Sequence, residues 1–258
     1  MNFKMMWTLF RTDLLIYVRE PAAAFFTFAF PILLLSILGE IFGRYPHQFR
    51  LPDGTSIDTT YISVFFPGFV AFIIANLALQ SAPIFLASQR TTGWFRMLQL
   101  SPLRLSWVIT IRVVMYFAIF VFSYALMYLL ARQVFGLQFF GLLLPFGLAM
   151  LLCFASFGSM GFLLGGLFNS ASTTQAVASI IFFLMYFTSG SAIPRDQFPD
   201  WLFRATELNP MTHVVDLLIA VWTGQTFDQL WVSALVVILM GVAGFVLTPL
   251  TFRWDAEG

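Results

Sequence analysis

Long apolar runs without a charged side chain dominate this chain of 258 residues, and short polar segments separate them. A membrane-spanning helix needs about 20 mostly apolar residues. The longest charge-free run would form a helix of roughly 90 Å, about three times the hydrocarbon thickness, so it must hold two spans. A turn is expected at the polar residues 169–174. The charge-free runs are residues 21–39, 59–89, 113–131, 133–194 and 229–252. The pattern therefore predicts six spans.

These spans predict an all-α integral membrane protein with one transmembrane domain over residues 1–258. The predicted spans are residues 21–43, 61–87, 107–132, 141–168, 174–192 and 229–252. An even number of spans places both termini on one side. That side carries eight basic residues against five on the other, so we expect both termini to be cytoplasmic, because lysine and arginine near span ends resist translocation.

Residues 1–20 carry a helical apolar stripe. Large apolar side chains recur at steps of three and four from Phe3 to Tyr17, which places them on one face. Basic side chains occupy the other faces, so the pattern predicts an amphipathic helix lying in the membrane interface. The residues singled out in this interfacial helix are Trp7, Arg11, Arg19 and Glu20.

A basic loop, residues 88–104, separates the second and third predicted spans. It holds three arginines and no acid, as expected of a short cytoplasmic loop. From Trp94 onward, apolar and polar side chains alternate as in a short amphipathic helix. Pro102 ends that pattern, because proline cannot continue a hydrogen-bonded turn. A short helix held at the cytoplasmic face predicts a contact with another protein.

Residues 193–225 form a proline-rich segment before the last span. Pro194 breaks the chain, and Pro210, after Asn209, suits the first turn of a new helix. That helix is too short to span, so we expect an external re-entrant cap. The loop at residues 44–60 is expected to be a surface turn or a short hairpin.

Few polar side chains lie inside the predicted spans. Asn76 either hydrogen-bonds a neighbouring helix, which is favoured, or lines a substrate pathway. Arg112 is expected to reach the cytoplasmic interface. The fourth span is rich in small residues and is expected to be central, packing on other spans or on a second subunit. Its small residues are Ala155, Ser156, Gly158, Ser159, Gly161, Gly165 and Gly166.

The composition argues against a soluble domain, a nucleic-acid-binding protein and a metal-binding protein. The chain is 60% hydrophobic and only 10% charged, whereas soluble domains are about one quarter charged. A net charge of +1 implies no attraction to nucleic acid. The single Cys153 and two histidines lie in separate regions, so we expect neither a disulfide nor a metal site.

Four motifs carry a family resemblance. They are P-A-A-A-F-F-T-F-A-F-P-I-L-L-L at residues 21–35, R-T-T-G-W-F-R-M-L-Q-L-S-P-L at 90–103, I-P-x-x-x-x-P-x-W-L at 193–202 and L-N-P-M-T-H-V-V-D at 208–216. In this order, and together with six spans and an interfacial helix, they resemble the membrane subunit of a type-2 ATP-binding-cassette exporter. The resemblance covers essentially the whole chain.

The resemblance implies roles for particular residues. A coupling helix after the second span would dock on a separate ATPase subunit, which the interfacial helix would also touch. The implied coupling residues are Gln89, Arg90, Thr92, Gly93, Trp94, Phe95, Arg96, Met97, Ser101 and Pro102. The implied external motif, which caps the pathway, comprises Pro194, Asn209, Pro210, His213 and Asp216. Where the family often has an acid before arginine, this chain has Gln89, so a salt bridge from that acid is not expected.

The function expected from this resemblance is that of an exporter permease. The sequence has no G-x-x-x-x-G-K-[ST] phosphate loop, so ATP and Mg²⁺ are expected in the ATPase subunit. We expect no enzymatic activity and no cofactor in this chain. A second copy or a paralogue would complete a dimer. The expected location is the cell inner membrane, in contact with its lipids.

Several alternatives are open at this stage. A lipophilic or amphipathic substrate, such as a drug, an antibiotic or a lipid-like compound, moved by alternating access, is favoured over a polysaccharide or glycolipid. An intramembrane serine protease would use Ser159 and His213, but His213 is expected in the external cap. A secondary transporter usually carries intramembrane charges, and here only Arg112 qualifies.

Overall fold

The computed structural model describes residues 3–42, 46–50, 56–92, 105–168, 170–192, 195, 198–225 and 227–251. Within these residues, six helices are long and apolar enough to cross a membrane. The protein is therefore an all-α integral membrane protein with six candidate spans, as predicted. It also has one two-stranded hairpin, which confirms the hairpin expected between the first two spans.

The elements follow one another in a simple order. The first is α1, Phe3–Arg19, the helix predicted to lie in the membrane interface and called the interfacial helix below. The spans are α2, Pro21–Phe42; α3, residues 61–91; α4, Leu105–Phe135; α5, Leu143–Leu167; α6, Ala171–Thr188; and α9, Phe227–Thr251. The hairpin strands are β1, Pro46–Arg50, and β2, Ser56–Thr60, paired antiparallel with Pro46 opposite Thr60. Two short helices, α7, Asp200–Thr206, and α8, Pro210–Trp222, precede α9.

The spans define two ends of the bundle. At the loop end, α3 stops at Thr91 and α4 begins at Leu105. At the hairpin end, β2 leads directly into Tyr61, the first residue of α3. The second span is longer than expected, because the helix continues through residues 88–91, which were assigned to the loop.

The helix α3 lies at the centre of the bundle. In its most apolar stretch 94% of the residues are buried, against 39% in α5. The neighbours of α3 are α2, α4, α5, α6 and α8. The expectation that the fourth span is central is therefore only half met: α5 packs on other spans, but α3 is the enclosed helix.

Small residues let α5 approach two neighbours closely. A side chain at Gly161 would collide with the Ala78 carbonyl of α3, and one at Gly244 would collide with Ser159. The Ser159 hydroxyl donates to the carbonyls of Ser156 (2.7 Å) and Gly241 (3.1 Å). The fourth span thus packs on α3 on one side and on α9 on the other, and hydroxyl groups that donate to backbone carbonyls reinforce the second contact.

Two π-helical turns interrupt the first two spans. They occupy Phe25–Ala29 in α2 and Asn76–Ser81 in α3. Such turns shift the backbone hydrogen-bond register and leave carbonyl groups open to side chains. These two turns contact each other.

Candidate functional site

The predicted coupling residues fall into two groups. Those outside the described residues are Gly93, Trp94, Phe95, Arg96, Met97, Ser101 and Pro102. Gln89 and Arg90 belong to the last turn of α3, and Thr92 follows directly. The Thr92 hydroxyl donates to the carbonyls of Ser88 (3.1 Å) and Gln89 (3.2 Å). Thr92 therefore closes α3 just before the basic loop.

Arg90 points into the bundle, and only 4% of the residue is exposed. Its Nη1 donates to the Phe168 carbonyl (3.1 Å), and its Nη2 to the carbonyls of Gly165 (3.2 Å) and Gly166 (3.5 Å). The last carbonyls of a helix have no partner within it, and their partial negative charge attracts a cation. Arg90 thus caps α5. Its guanidinium is covered in this conformation, which differs from the expected docking contact.

Arg112 is buried beside the interfacial helix. Its Nη2 lies 3.1 Å from the Asp13 carboxylate of α1, and the two side chains are 10% and 18% exposed. The guanidinium also lies 3.5 Å from the centre of the Phe85 ring of α3, a cation–π contact. Arg112 therefore connects three helices, with Asp13 of α1 as its ionic partner. The reach of its side chain to the cytoplasmic interface stays a prediction.

Asp13 is the acidic half of this contact. Burial raises the pKa of its carboxyl, and the adjacent Arg112 charge opposes the rise. No motif singles out Asp13 in the sequence. One signal is present, however: Asp13 is the single acid of α1, and Arg112, about two turns into α4, has the opposite sign.

The interfacial helix places its predicted residues on two sides. Trp7 is 57% exposed and stacks on Phe10, whereas Phe10, Leu14 and Tyr17 pack against the core. Arg11 and Arg19 are exposed, and Glu20 separates α1 from α2. Only part of the predicted apolar stripe therefore faces the bundle.

Tyr17 connects α1 to both π-helical turns. Its hydroxyl lies 2.7 Å from Thr27 Oγ1 and 3.0 Å from Ser81 Oγ. The Ser81 carbonyl also accepts a hydrogen bond from Tyr116 of α4 (3.2 Å). Thr27 is completely buried. No sequence pattern indicates that Thr27 takes part in this network, because its hydrogen-bond partners lie on three other helices.

Asn76 belongs to the same buried network. Its Nδ2 donates to Thr27 Oγ1 (3.2 Å) and to the Phe26 carbonyl (3.3 Å). Ser123 of α4 donates to the Thr27 carbonyl (2.7 Å). The Asn76 side chain thus joins the first and second spans, and a part in the substrate pathway stays a prediction.

The external motif begins with a double cap. Asn209 Oδ1 accepts a hydrogen bond from the Met211 amide (2.9 Å), which starts α8, and Pro210 occupies the first turn. The Asn209 Nδ2 donates to the Met185 carbonyl (2.8 Å) and to Thr188 Oγ1 (3.0 Å). One side chain therefore joins the end of α6 to the start of α8. Pro194 lies outside the described residues.

Asp216 and His213 have separate partners on α8. Arg195 Nη1 lies 2.9 Å from Asp216 Oδ2. Burial raises the pKa of Asp216, against the charge of Arg195. The His213 ring lies 3.0 Å from the Glu207 carbonyl and 3.5 Å from Ser233, while Ser159 bonds backbone carbonyls. These contacts give no support to a Ser–His catalytic pair.

Trp222, which ends α8, is completely buried at the hairpin end. Its Nε1 donates to the Ser63 carbonyl of α3 (2.6 Å). Ring contacts link Trp222 to Phe66, Phe139 and Phe146. The external segment is thereby anchored to the start of α3, a contact that no sequence motif indicates.

The chain matches the model of one known protein family. The family model described as ABC-2 type transporter matches residues 5–223. The match runs from α1 through the end of α8 and leaves only α9 outside. A search among curated proteins found no match.

Proposed function

Because this chain belongs to the ABC-2 type transporter family, of which it is a multi-pass permease component, we propose that it exports a lipophilic or amphipathic substrate. A separate ATP-binding-cassette subunit would bind ATP and Mg²⁺ and supply the energy. The substrate class rests on the apolar, aromatic composition of the spans. A second copy or a paralogue would complete the pathway.

The observation that carries this proposal is the anchoring of both helices that flank the basic loop. Arg90, in the last turn of α3, holds the end of α5. Arg112, about two turns into α4, holds α1 and contacts α3. A displacement of residues 93–104 by a partner would therefore pass to four helices. Buried hydrogen bonds to charged groups are among the stronger contacts in a protein.

The proposed orientation follows from the excess of basic residues on the loop side. The loop end would face the cytoplasm of a cell with an inner membrane, where the ATPase resides, and the hairpin end would face outward. The interfacial helix, with Arg11 and Arg19 exposed, would lie against cytoplasmic lipid headgroups. In this arrangement Asn209 and Asp216 belong to the external cap.

Substitution in the basic loop tests the coupling role. Arg96→Glu combined with Trp94→Ala is expected to reduce ATPase stimulation and export by about tenfold or more, because charge and an aromatic anchor are lost together. The measurement uses proteoliposomes containing the permease and its partner ATPase. Arg132→Glu, an exposed change at the opposite end of α4, is the matched control.

The outcome separates coupling from folding. The double variant should insert into membranes and unfold at the wild-type temperature. Normal hydrolysis and normal export in the double variant would contradict the coupling role. Export of a polysaccharide in place of a lipophilic or amphipathic compound would contradict the substrate class alone.

A further inference from the structure

An aromatic cleft of about 290 Å³ opens at the hairpin end of the bundle. Its volume lies near the lower edge of the range for small-molecule pockets. Four parts of the chain form it: α4, the connection between α4 and α5, the first residue of α5 and the last residue of α8. The lining residues are Tyr124, Ala125, Tyr128, Leu129, Phe139, Leu143 and Trp222.

The cleft has an apolar floor and lip. The Trp222 and Phe139 rings, with centres 4.6 Å apart, form the floor. Leu129 and Leu143, at the lip, are 54% and 79% exposed, so the opening is continuous with the outer apolar surface of α4 and α5. In a membrane protein such a surface contacts acyl chains, because hydrocarbon is the solvent there.

Two tyrosine hydroxyls add hydrogen-bond donors to this otherwise apolar cleft. Tyr124 and Tyr128 are one helical turn apart, with ring centres separated by 5.9 Å. Neither hydroxyl forms a hydrogen bond with any other residue that the structure describes. A phenol hydroxyl beside apolar surface normally finds a partner. The two groups therefore suit a ligand that joins a hydrogen-bond acceptor to an alkyl chain.

With α4 centred in a bilayer, Tyr128 of the cleft would lie near the ester region of the lipids. The 31 residues of α4 give a length of about 46 Å, against a hydrocarbon core of about 30 Å. If α4 projects equally on both sides, about 8 Å lies outside the core at each end. Tyr128 lies about 10 Å from the Phe135 end. This is close to the boundary where lipid ester carbonyls lie.

We propose that this cleft binds an ester-linked lipid from the adjacent leaflet, with one acyl chain against Phe139, Leu129 and Leu143 and an ester carbonyl accepting from Tyr124 or Tyr128. This site is separate from the coupling contacts at the loop end. Its occupation would fill the gap between α4 and the start of α5. The bound lipid would thus support the Trp222 anchor of the external segment.

Photo-cross-linking in proteoliposomes tests the site with the full chain. A phosphatidylcholine that carries a diazirine in one acyl chain is expected to label peptides around Ala125 and Leu143 above the average of the other exposed spans. Ala125→Phe fills the cleft and should abolish that enrichment. Ala118→Phe makes the same change at an exposed position two turns earlier on α4, and it should leave the labelling intact.

Competition with unlabelled lipids tests the hydroxyl groups. Diacyl phosphatidylcholine should displace the probe about fivefold better than its dialkyl-ether analogue, as expected for one hydrogen bond. The Tyr124→Phe, Tyr128→Phe double variant should show no preference. Its unfolding temperature provides the folding control.

Three results would overturn the proposal. The first is labelling spread evenly over all exposed spans. The second is an ester preference that survives in the double variant. The third is displacement of the probe by an exported compound but not by diacyl lipid, which would make the cleft a substrate site. The test needs no ATPase, so its failure would leave the exporter proposal unaffected.

Discussion

Arg90 and Arg112 illustrate how a charged side chain is kept inside an apolar bundle. Arg90 donates to carbonyl groups that the end of α5 leaves open, and Arg112 pairs with a carboxylate while lying against an aromatic ring. In both cases the partner belongs to another helix. A buried charge without such a partner would be costly.

Replacing Arg90 tests its role as a helix cap. Arg90→Gln is expected to destabilise the protein by about 2 kcal/mol, because hydrogen bonds to a buried charge are lost. Arg90→Lys keeps the charge but has fewer hydrogen-bond donors, so its stability should lie between that of the wild type and that of Arg90→Gln. Denaturant unfolding in detergent provides the measurement. Arg132→Gln is the exposed control, with a change below about 0.5 kcal/mol. Equal effects at both positions would refute the cap.

A double-mutant cycle tests the contact between Arg112 and Asp13. Each of Arg112→Met and Asp13→Asn should cost about 1–3 kcal/mol, because the other member stays buried without its partner. The combined variant should cost less than the sum of the two. Unfolding free energies of the four proteins give the coupling term. Strict additivity would show that the 3.1 Å contact contributes no net stability.

At the scale of elements, close approach between helices sets the shape of the bundle. The Gly161 position of α5 lies against the Ala78 carbonyl of α3, whereas a side chain at Gly158 would meet open space. The two glycines lie three residues apart on one helix. They therefore separate the cost of a collision from the intrinsic effect of adding a methyl group.

Alanine at these two positions should have opposite effects. Gly161→Ala is expected to cost about 1–3 kcal/mol through overpacking, whereas Gly158→Ala should be neutral or stabilise by up to about 1 kcal/mol through helix propensity. Thermal unfolding of the purified protein provides the comparison. The packing assigned to α5 and α3 is wrong if Gly161→Ala is as stable as Gly158→Ala.

The network around Asn76 connects elements through their irregular turns. Thr27 is the shared partner of Tyr17, Asn76 and Ser123, and it lies within the π-helical turn of α2. The open carbonyls of such a turn need side-chain donors. The irregular backbone and the polar side chains in this region therefore depend on each other.

At the scale of the molecule, the two ends of the bundle have different contacts. At the loop end, the buried side chains of Arg90 and Arg112 join neighbouring helices. At the hairpin end, an aromatic cluster around Trp222 joins α8 to α3. The central helix α3 takes part in both, through Arg90 and through Ser63.

Cysteine labelling tests the proposed orientation of the whole chain. In a Cys153→Ser background, Ser56→Cys at the hairpin end should react with a membrane-impermeant maleimide in intact cells. Thr92→Cys at the loop end should react only after permeabilisation. The basis is the excess of basic residues on the loop side. Reversed accessibility would invert the topology and remove the proposed ATPase contact.

Six candidate spans and the helix over residues 3–19 were predictable from the sequence, because each depends on the length and spacing of residues within one local stretch. The Asn209-Pro210 pair likewise marked the start of α8, although its bond to Met185 was not predictable. The predicted end of the second span, residue 87, precedes the observed end of the helix at Thr91. The reason is that Ser88 and Gln89 are polar but still helical.

The sequence by itself determined that this protein crosses a membrane six times, has a basic loop after its second span and carries the family motifs. Only the tertiary structure decided that α3 is the enclosed helix, that Arg90 caps α5 and that Arg112 holds α1. The reason is physical: Arg90 and Gly165 are 75 positions apart, and hydropathy reports how apolar each helix is but not which helices it will contact.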